Sequence, residues 1–113
     1  MKLNEIVSKL NLEVKSANEQ LNNEITGGYA SDLLSDVMAN AQKGNIWITL
    51  QVHQNIVAVA ILKEIVGIIL VNNRQPEAET LQKAIQEKVP ILVSKLPTFE
   101  LVGKLYQFGI SNV

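Results

Sequence analysis

The sequence predicts a three-layer α/β protein in which a largely parallel sheet of about four or five strands is flanked by helices. Short apolar segments rich in β-branched residues alternate with segments of helical periodicity, and only short turns separate them. The hydrophobic fraction is 47% but the aromatic fraction is 4%, which is typical of an aliphatic core in compact α/β layers. The 113 residues contain no linker or repeat, so we expect one domain spanning residues 1–113.

The first predicted elements are a helix and a short strand. Apolar residues from Leu3 to Leu10 recur at helical spacing. Residues 12–15 then alternate between apolar and charged side chains, which indicates a strand with one face in water. The polar residues 18–23 form the loop that follows.

A pair of glycines comes before the second helix. Gly27 and Gly28 favour a tight turn that uses the conformational freedom of glycine, and a phosphate-binding loop is the less favoured alternative. The helix is predicted to have Ser31 as its N-cap and to end at Gly44. Its expected buried residues are Leu33, Leu34, Val37, Met38 and Ala41.

The middle of the chain contains two strands and an ambiguous apolar run. Residues 46–50 and 67–71 are predicted strands because of their β-branched and aromatic content. Residues 56–62 would also suit a strand. We interpret them as a helix capped by Asn55 and covered on nearly every side, because parallel flanking strands need a crossover. Trp47 is expected to cover one face of the sheet, with an interface role as the alternative.

Prolines mark the start of the last elements. Pro76 stands where a helix begins, and the apolar residues of 81–89 share one face. Residues 91–93 are the next predicted strand. Thr98 is the predicted cap of the last helix, which ends at Gly109. The expected buried residues of this helix are Phe99, Leu101, Val102, Leu105, and Tyr106 or Phe108.

Composition and charge exclude several classes of function. Ten basic and eleven acidic residues give a net charge of −1, which argues against nucleic acid or a membrane as partner. Without cysteine there are no disulfides, thiolate metal sites or cysteine nucleophiles. Because Walker, H-E-x-x-H and G-x-S-x-G patterns are missing, we expect neither enzyme activity nor a cofactor.

Two further features bear on location and on metal binding. The longest apolar stretch is interrupted by Lys63 and Glu64 and is too short to cross a bilayer, so we expect a cytoplasmic protein. Asp32 and Asp36 are four residues apart and could bind a divalent ion. They lack a third ligand within reach, so we favour solvated or capping roles and expect no metal site.

A candidate ligand site lies at the predicted carboxyl edge of the sheet, where ligands of open parallel sheets collect. The single histidine, His53, and the single arginine, Arg74, each follow a predicted strand. If these strands are adjacent and parallel, the two side chains share a rim that suits an anion such as phosphate. Plain solvated turns are the alternative. The expected ligand-binding residues are His53, Arg74, Asn72, Asn73, Gly27 and Gly28.

Several segments resemble one known family: residues 27–38, 46–51, 67–71, 90–92 and 98–100. From about Leu3 to Ile110 the chain resembles the DRTGG domain, an α/β module related to the amino-terminal domain of HPr kinase/phosphorylase. It is most similar to free-standing members. The motif that names the family is changed here. Gln51-Val52-His53 stands in place of Gly-Asp-Arg, and Val71-Asn72-Asn73 stands in place of Thr-Gly-Gly.

The resemblance implies a non-catalytic regulatory module that forms homodimers. One hypothesis is that the domain senses a small anionic metabolite or nucleotide at the carboxyl edge of the sheet. The alternative is a ligand-free interaction module that docks on a partner enzyme or signalling protein, as the positive mean hydropathy would allow.

Overall fold

The computed structural model describes residues 1–113 and confirms an α/β fold with five strands and five α-helices. The strands are β1 (Glu13–Val14), β2 (Gly27–Ala30), β3 (Asn45–Thr49), β4 (Gly67–Leu70) and β5 (Ile91–Val93). The helices are α1 (Leu3–Leu10), α2 (Leu34–Asn40), α3 (Asn55–Lys63), α4 (Ala78–Glu87) and α5 (Thr98–Gln107). None of these helices has both the length and the apolar character needed to cross a membrane.

The five strands form one sheet in the order β1-β5-β4-β3-β2. β2 to β5 are parallel, and β1 is an antiparallel strand at the edge beside β5. Parallel neighbours need a crossover, and α2, α3 and α4 provide the three crossovers in chain order. The ambiguous run after β3 is therefore a helix, as predicted.

Helices cover both faces of the sheet. Trp47 and Ile68 belong to the face that packs against α2, α3 and α4, whereas Ile46 and Ile69 belong to the face that packs against α1 and α5. Adjacent residues of one strand contribute to opposite cores because side chains alternate along a strand. Every residue of β3, β4 and β5 is buried, which explains why these strands appear as continuous apolar runs in the sequence.

The predicted tight turn at Gly27 and Gly28 is wrong, because both residues lie in β2. Neither glycine has a positive φ, whereas Gly44 and Gly109 do. What Gly27 requires is small size, since a Cβ atom there would overlap the side chain of Asn112. A Cβ atom on Gly28 would meet only ordinary van der Waals neighbours, the nearest at 3.5 Å.

The predicted N-caps Ser31, Asn55 and Thr98 are also wrong. α2 begins at Leu34, and Asn55 and Thr98 are the first helical residues of α3 and α5, where no side chain caps the helix. α2 starts late because Asp32 is bonded to β3, which holds the preceding segment in an extended path. Side-chain identity alone does not show such a tertiary contact.

Several apolar residues that were expected to be buried are exposed. A helix that lies on a sheet buries only the side that faces the sheet and its neighbours. α3 is therefore not covered on nearly every side, and Leu62 is 68% exposed. Trp47 is fully buried, which confirms its place on a face of the sheet and excludes the interface role. The large apolar residues that were expected in the core but are exposed are Leu33, Met38, Ile61, Leu62, Ile85 and Phe99. Of the alternatives Tyr106 and Phe108, Tyr106 is exposed and Phe108 is half-buried.

Candidate functional site

The loops after the parallel strands meet at one edge of the sheet, which we call the carboxyl rim. It comprises residues 31–33, 50–54, 71–75 and 94–96. β3 and β4 are adjacent and parallel, and Thr49 at the end of β3 pairs with Leu70 at the end of β4. The segments that carry His53 and Arg74 therefore leave the sheet on the same side, as the sequence predicted.

Gly27 and Gly28 do not belong to the carboxyl rim. Gly27 pairs with Asn45, the first residue of β3, so the two glycines lie toward the amino edge of the sheet. The prediction that placed them at the carboxyl edge followed from the mistaken turn. In the structure β2 ends at Ala30, and Asp32 is the polar residue that reaches the rim there.

Asp32 joins the ends of β2 and β3. Its Oδ1 atom accepts a hydrogen bond from Thr49 Oγ1 at 2.9 Å and another from the Leu50 N–H at 2.7 Å. Gln51 Nε2 donates to the Asp32 carbonyl at 3.0 Å. Sequence reasoning missed this role, because β2 itself was not predicted and the donors from β3 are distant in sequence. These contacts fix the first residues of the loop that leads to His53.

His53 lies exposed at the start of α3. Its Nδ1 atom accepts a hydrogen bond from the Asn55 N–H at 3.1 Å. In the neutral ring the proton is then on Nε2, which is available as a donor. The bond to Asn55 and a ligand role for His53 are therefore compatible, because each uses a different ring nitrogen.

Asn72 and Asn73 form an unusual turn directly before Arg74. Both have a φ of 56°, a left-handed conformation that asparagine adopts more readily than most residues. The Asn72 N–H donates to Leu96 O at 2.9 Å, and the Asn73 N–H donates to Ser94 O at 2.7 Å. These backbone donors are used within the protein. An anion at this turn must therefore be bound by the exposed side chains, including the Arg74 guanidinium.

Three helices begin at the carboxyl rim without a side-chain cap: α3, α4 and α5. The unpaired N–H groups of a first turn and the helix dipole favour negative charge. Glu79 and Glu100 already supply that charge in the first turns of α4 and α5, whereas α3 has no acidic residue there. In α3, however, the N–H groups of Asn55, Ile56 and Val57 already donate to His53 Nδ1, His53 O and Gln54 O. The start of α3 therefore offers an added anion its dipole and no unpaired N–H group.

Asp36 lies on α2 and is engaged by other protein groups. Tyr29 Oη donates to Asp36 Oδ2 at 2.8 Å, and Asn40 Nδ2 donates to Asp36 Oδ1 at 2.9 Å. The bond with Tyr29 holds the pKa of Asp36 below its ordinary value and raises the pKa of Tyr29. No three side chains among the histidine, aspartates and glutamates are placed to share a metal ion.

Two recesses lie near these elements. An open recess of about 500 Å³ borders the carboxyl rim and includes Asn73, Gln75 and Lys95. A smaller recess of about 210 Å³, which we call the apolar recess, lies between β2, α5 and the C-terminal residues 110–113. Eight of its eleven lining residues are hydrophobic, so it suits an apolar group rather than an anion.

Comparison with known proteins identifies similar folds. The family model described as the DRTGG domain matches residues 5–108. The chain is similar to the crystal structure of the CBS and DRTGG domains of the regulatory region of Clostridium perfringens pyrophosphatase, complexed with the activator diadenosine tetraphosphate. The TM-score is 0.70 at 14% identity, and the match covers 98% of this chain and 48% of that chain. The chain thus spans about half the length of that structure. No curated protein matches it.

Proposed function

Because the chain belongs to the DRTGG domain family, we propose that it is a non-catalytic regulatory module that binds a small anionic metabolite or nucleotide at the carboxyl rim. The observation that carries this proposal is that His53 and Arg74 follow two adjacent parallel strands. The pyrophosphatase region with the same fold is regulatory and was crystallised with a nucleotide activator. This supports regulation as the class of function and makes nucleotides the first ligands to test.

The rim groups have complementary roles in this proposal. The Arg74 guanidinium can donate two parallel hydrogen bonds to one phosphate group, which gives both affinity and orientation. His53 contributes a donor at Nε2, and the first turn of α3 contributes its dipole. The exposed amides of Asn72 and Asn73 add neutral donors. Side chains carry the recognition because the backbone of the Asn72–Asn73 turn is already hydrogen-bonded.

Thermal unfolding tests this proposal with a panel of ligands, both with and without magnesium. The panel contains diadenosine tetraphosphate, adenosine mono-, di- and triphosphate, and phosphorylated sugars. A ligand at about a hundred times its dissociation constant stabilises the fold by about 2.7 kcal/mol, which raises the melting temperature measurably.

Charge-matched variants locate the bound ligand. Arg74→Gln is expected to reduce the shift, whereas Lys43→Gln removes the same charge from a side chain that is 78% exposed beyond the amino edge of the sheet. We expect the Lys43 variant to keep the shift. If no ligand in the panel stabilises the protein, or if both variants lose the shift equally, the proposal is wrong.

The second candidate function is self-association through α5, and it has its own supporting observation. Phe99 is 85% exposed and Tyr106 is 62% exposed, and the two lie two turns apart on one side of the helix. Tyr106 and Val102 also line the apolar recess, so the exposed apolar surface is continuous with a cavity. Such a surface is typical of a protein interface. Its test is the oligomeric state in solution.

A further inference from the structure

A third recess, which adjoins the open recess at the carboxyl rim, has a different chemical character from the apolar recess. It has a volume of about 310 Å³ and lies where α1, α5 and the loop after β5 meet. We call it the lysine recess, because Lys9, Lys95 and Lys104 all line it. The remaining lining residues are Leu10, Asn11, Ser94, Leu96, Gln107 and Phe108.

The positive charge of the lysine recess is not neutralised within the protein. Three of the chain's ten basic residues line it, and no carboxylate does, although the net charge of the chain is −1. The ion pairs of the structure involve the N-terminus and Lys15, Lys43 and Lys83, but none of the recess lysines. Glu100 precedes Lys104 by one helical turn and does not pair with it. The concentrated charge therefore remains available to a ligand.

Helix stabilisation explains only part of this arrangement. Lys9 and Lys104 lie in the last turns of α1 and α5, where the helix dipole favours a positive charge. The final carbonyl groups of α5 already accept hydrogen bonds from residues 108–110. Lys95 belongs to a loop and has no such role, yet it faces the same recess. A shared anionic ligand accounts for all three positions.

The loop that carries Lys95 belongs to the carboxyl rim and is held in place by the Asn72–Asn73 turn. Ser94 O and Leu96 O accept the Asn73 and Asn72 N–H groups, and Ser94 Oγ accepts the Leu96 N–H at 3.0 Å. Both neighbours of Lys95 are thus bonded, so little backbone freedom is lost when a ligand binds. The Lys9 ammonium is also placed, with Nζ 5.3 Å from the centre of the Phe108 ring.

We propose that the lysine recess binds a small molecule that carries two or more phosphate groups. The recess shares Ser94, Lys95 and Leu96 with the carboxyl rim, but His53 and Arg74 do not line it. Three ammonium groups complement the charge of a di- or triphosphate better than that of a single phosphate. Asn11 and Gln107 add side-chain donors, and Leu10, Leu96 and Phe108 provide an apolar wall for an organic group. The volume is at the lower end of that of ligand pockets.

Titration calorimetry with inorganic triphosphate, inorganic pyrophosphate and inorganic phosphate tests this proposal. We expect affinity to rise with the number of phosphate groups. Lys9→Gln and Lys104→Gln should each weaken triphosphate binding by at least about tenfold, which corresponds to the loss of one hydrogen bond to a charged group. Lys43→Gln is the charge-matched control and should leave the affinity within about twofold.

The outcomes separate this proposal from the proposed function. Arg74→Gln serves to locate the phosphate chain. Binding that is lost in Arg74→Gln but kept in Lys104→Gln would place the polyphosphate at His53 and Arg74 and overturn the lysine site. Equal losses in all variants, including Lys43→Gln, would indicate unspecific charge attraction and also overturn it, as would the absence of measurable binding.

Adenosine triphosphate shows whether the recess binds a nucleotide or only a phosphate chain. Tighter binding than that of inorganic triphosphate identifies a nucleotide that uses the apolar wall, and equal binding identifies the phosphate chain alone. Either result supports the site. Because all three lysines are exposed, the variants should fold, and Lys95→Gln in the loop provides an independent check that does not alter a helix.

Discussion

Asp32 and Asp36 are four residues apart in the sequence, but they bind different partners in the fold. Asp32 accepts hydrogen bonds from the end of β3, whereas Asp36 accepts one from Tyr29 in β2. The carboxylates of both residues thus help to fix the path of the chain around β2 and α2. From the sequence, these carboxylates were predicted to cap the helix or to face solvent. The contact of Asp32 with β3 was not predicted, because its donors are distant in sequence and become neighbours only through strand pairing.

The Tyr29–Asp36 bond predicts a specific pH dependence of stability. The bond lowers the pKa of Asp36 from its ordinary 3.8, so its contribution is fully present above that pH and is lost as the pH falls through the lowered pKa. It raises the pKa of Tyr29 above 10.0, so the contribution is also lost as the pH rises beyond that value. Tyr29→Phe should therefore destabilise the protein at neutral pH and much less in acid.

Urea unfolding at neutral pH and at about pH 2.5 measures this difference. Tyr106→Phe is the control, because the Tyr106 hydroxyl makes no hydrogen bond within the protein and its removal should have little effect at either pH. A Tyr29→Phe effect that is the same at both pH values would contradict the assignment of the bond.

At the scale of elements, the sequence predicted β3, β4, β5 and the helix α3 because burial on both faces leaves continuous apolar runs. It also predicted a largely parallel sheet. The adjacency of β3 and β4, which brings two rim loops together, was only a condition of the predicted site, and the structure meets that condition. The sequence did not predict β2, because a strand that contains Gly27 and Gly28 has few of the side chains that favour strands. It also missed the Asn72–Asn73 turn, whose partners lie in the loop after β5.

The close approach of the C-terminal residues to β2 predicts different effects for two identical substitutions. Gly27→Ala should lower the free energy of unfolding by about 1 to 3 kcal/mol, because the new methyl group overlaps Asn112. Gly28→Ala makes the same change one residue later, where there is room, and should cost less than about 1 kcal/mol. Chemical denaturation of both variants gives the comparison.

Removal of the overlapping side chain tests the cause. Asn112→Ala should restore part of the stability when it is combined with Gly27→Ala, although it also removes the bonds of Asn112 to Asn45 and Gly28. The double-mutant cycle isolates the overlap as a favourable interaction between the two substitutions. Additive effects would show that the C-terminal residues do not lie against Gly27.

In the whole molecule, α5 separates two surfaces of opposite character. One side of the helix contributes Val102 and Tyr106 to the apolar recess, and the other contributes Lys104 and Phe108 to the lysine recess. A ligand on one side and a second copy of the chain on the other would therefore contact the same helix. This arrangement offers a direct route by which ligand binding could alter self-association. Neither recess was predicted from the sequence, because the residues that line each one come from distant segments.

The exposed face of α5 predicts how the oligomeric state responds to mutation. We expect a dimer by light scattering at micromolar concentration and a monomer after Phe99→Asp, because a buried unpaired charge at an interface is strongly unfavourable. Leu62→Asp on α3 is the control, since Leu62 is 68% exposed and apolar but lies on the other face of the sheet. A dimer that survives Phe99→Asp and dissociates in the Leu62 variant would move the interface to α3.

The hydrogen bonds between the Asn72–Asn73 turn and the loop after β5 have a consequence for the way such a domain changes during evolution. Main-chain groups hold the scaffold there, while the side chains of Asn72, Asn73 and Arg74 are exposed. For the proposed ligand site this means that single substitutions at exposed positions can change the specificity, without the rebuilding of a loop. Divergence of the family's signature residues is therefore compatible with an intact architecture.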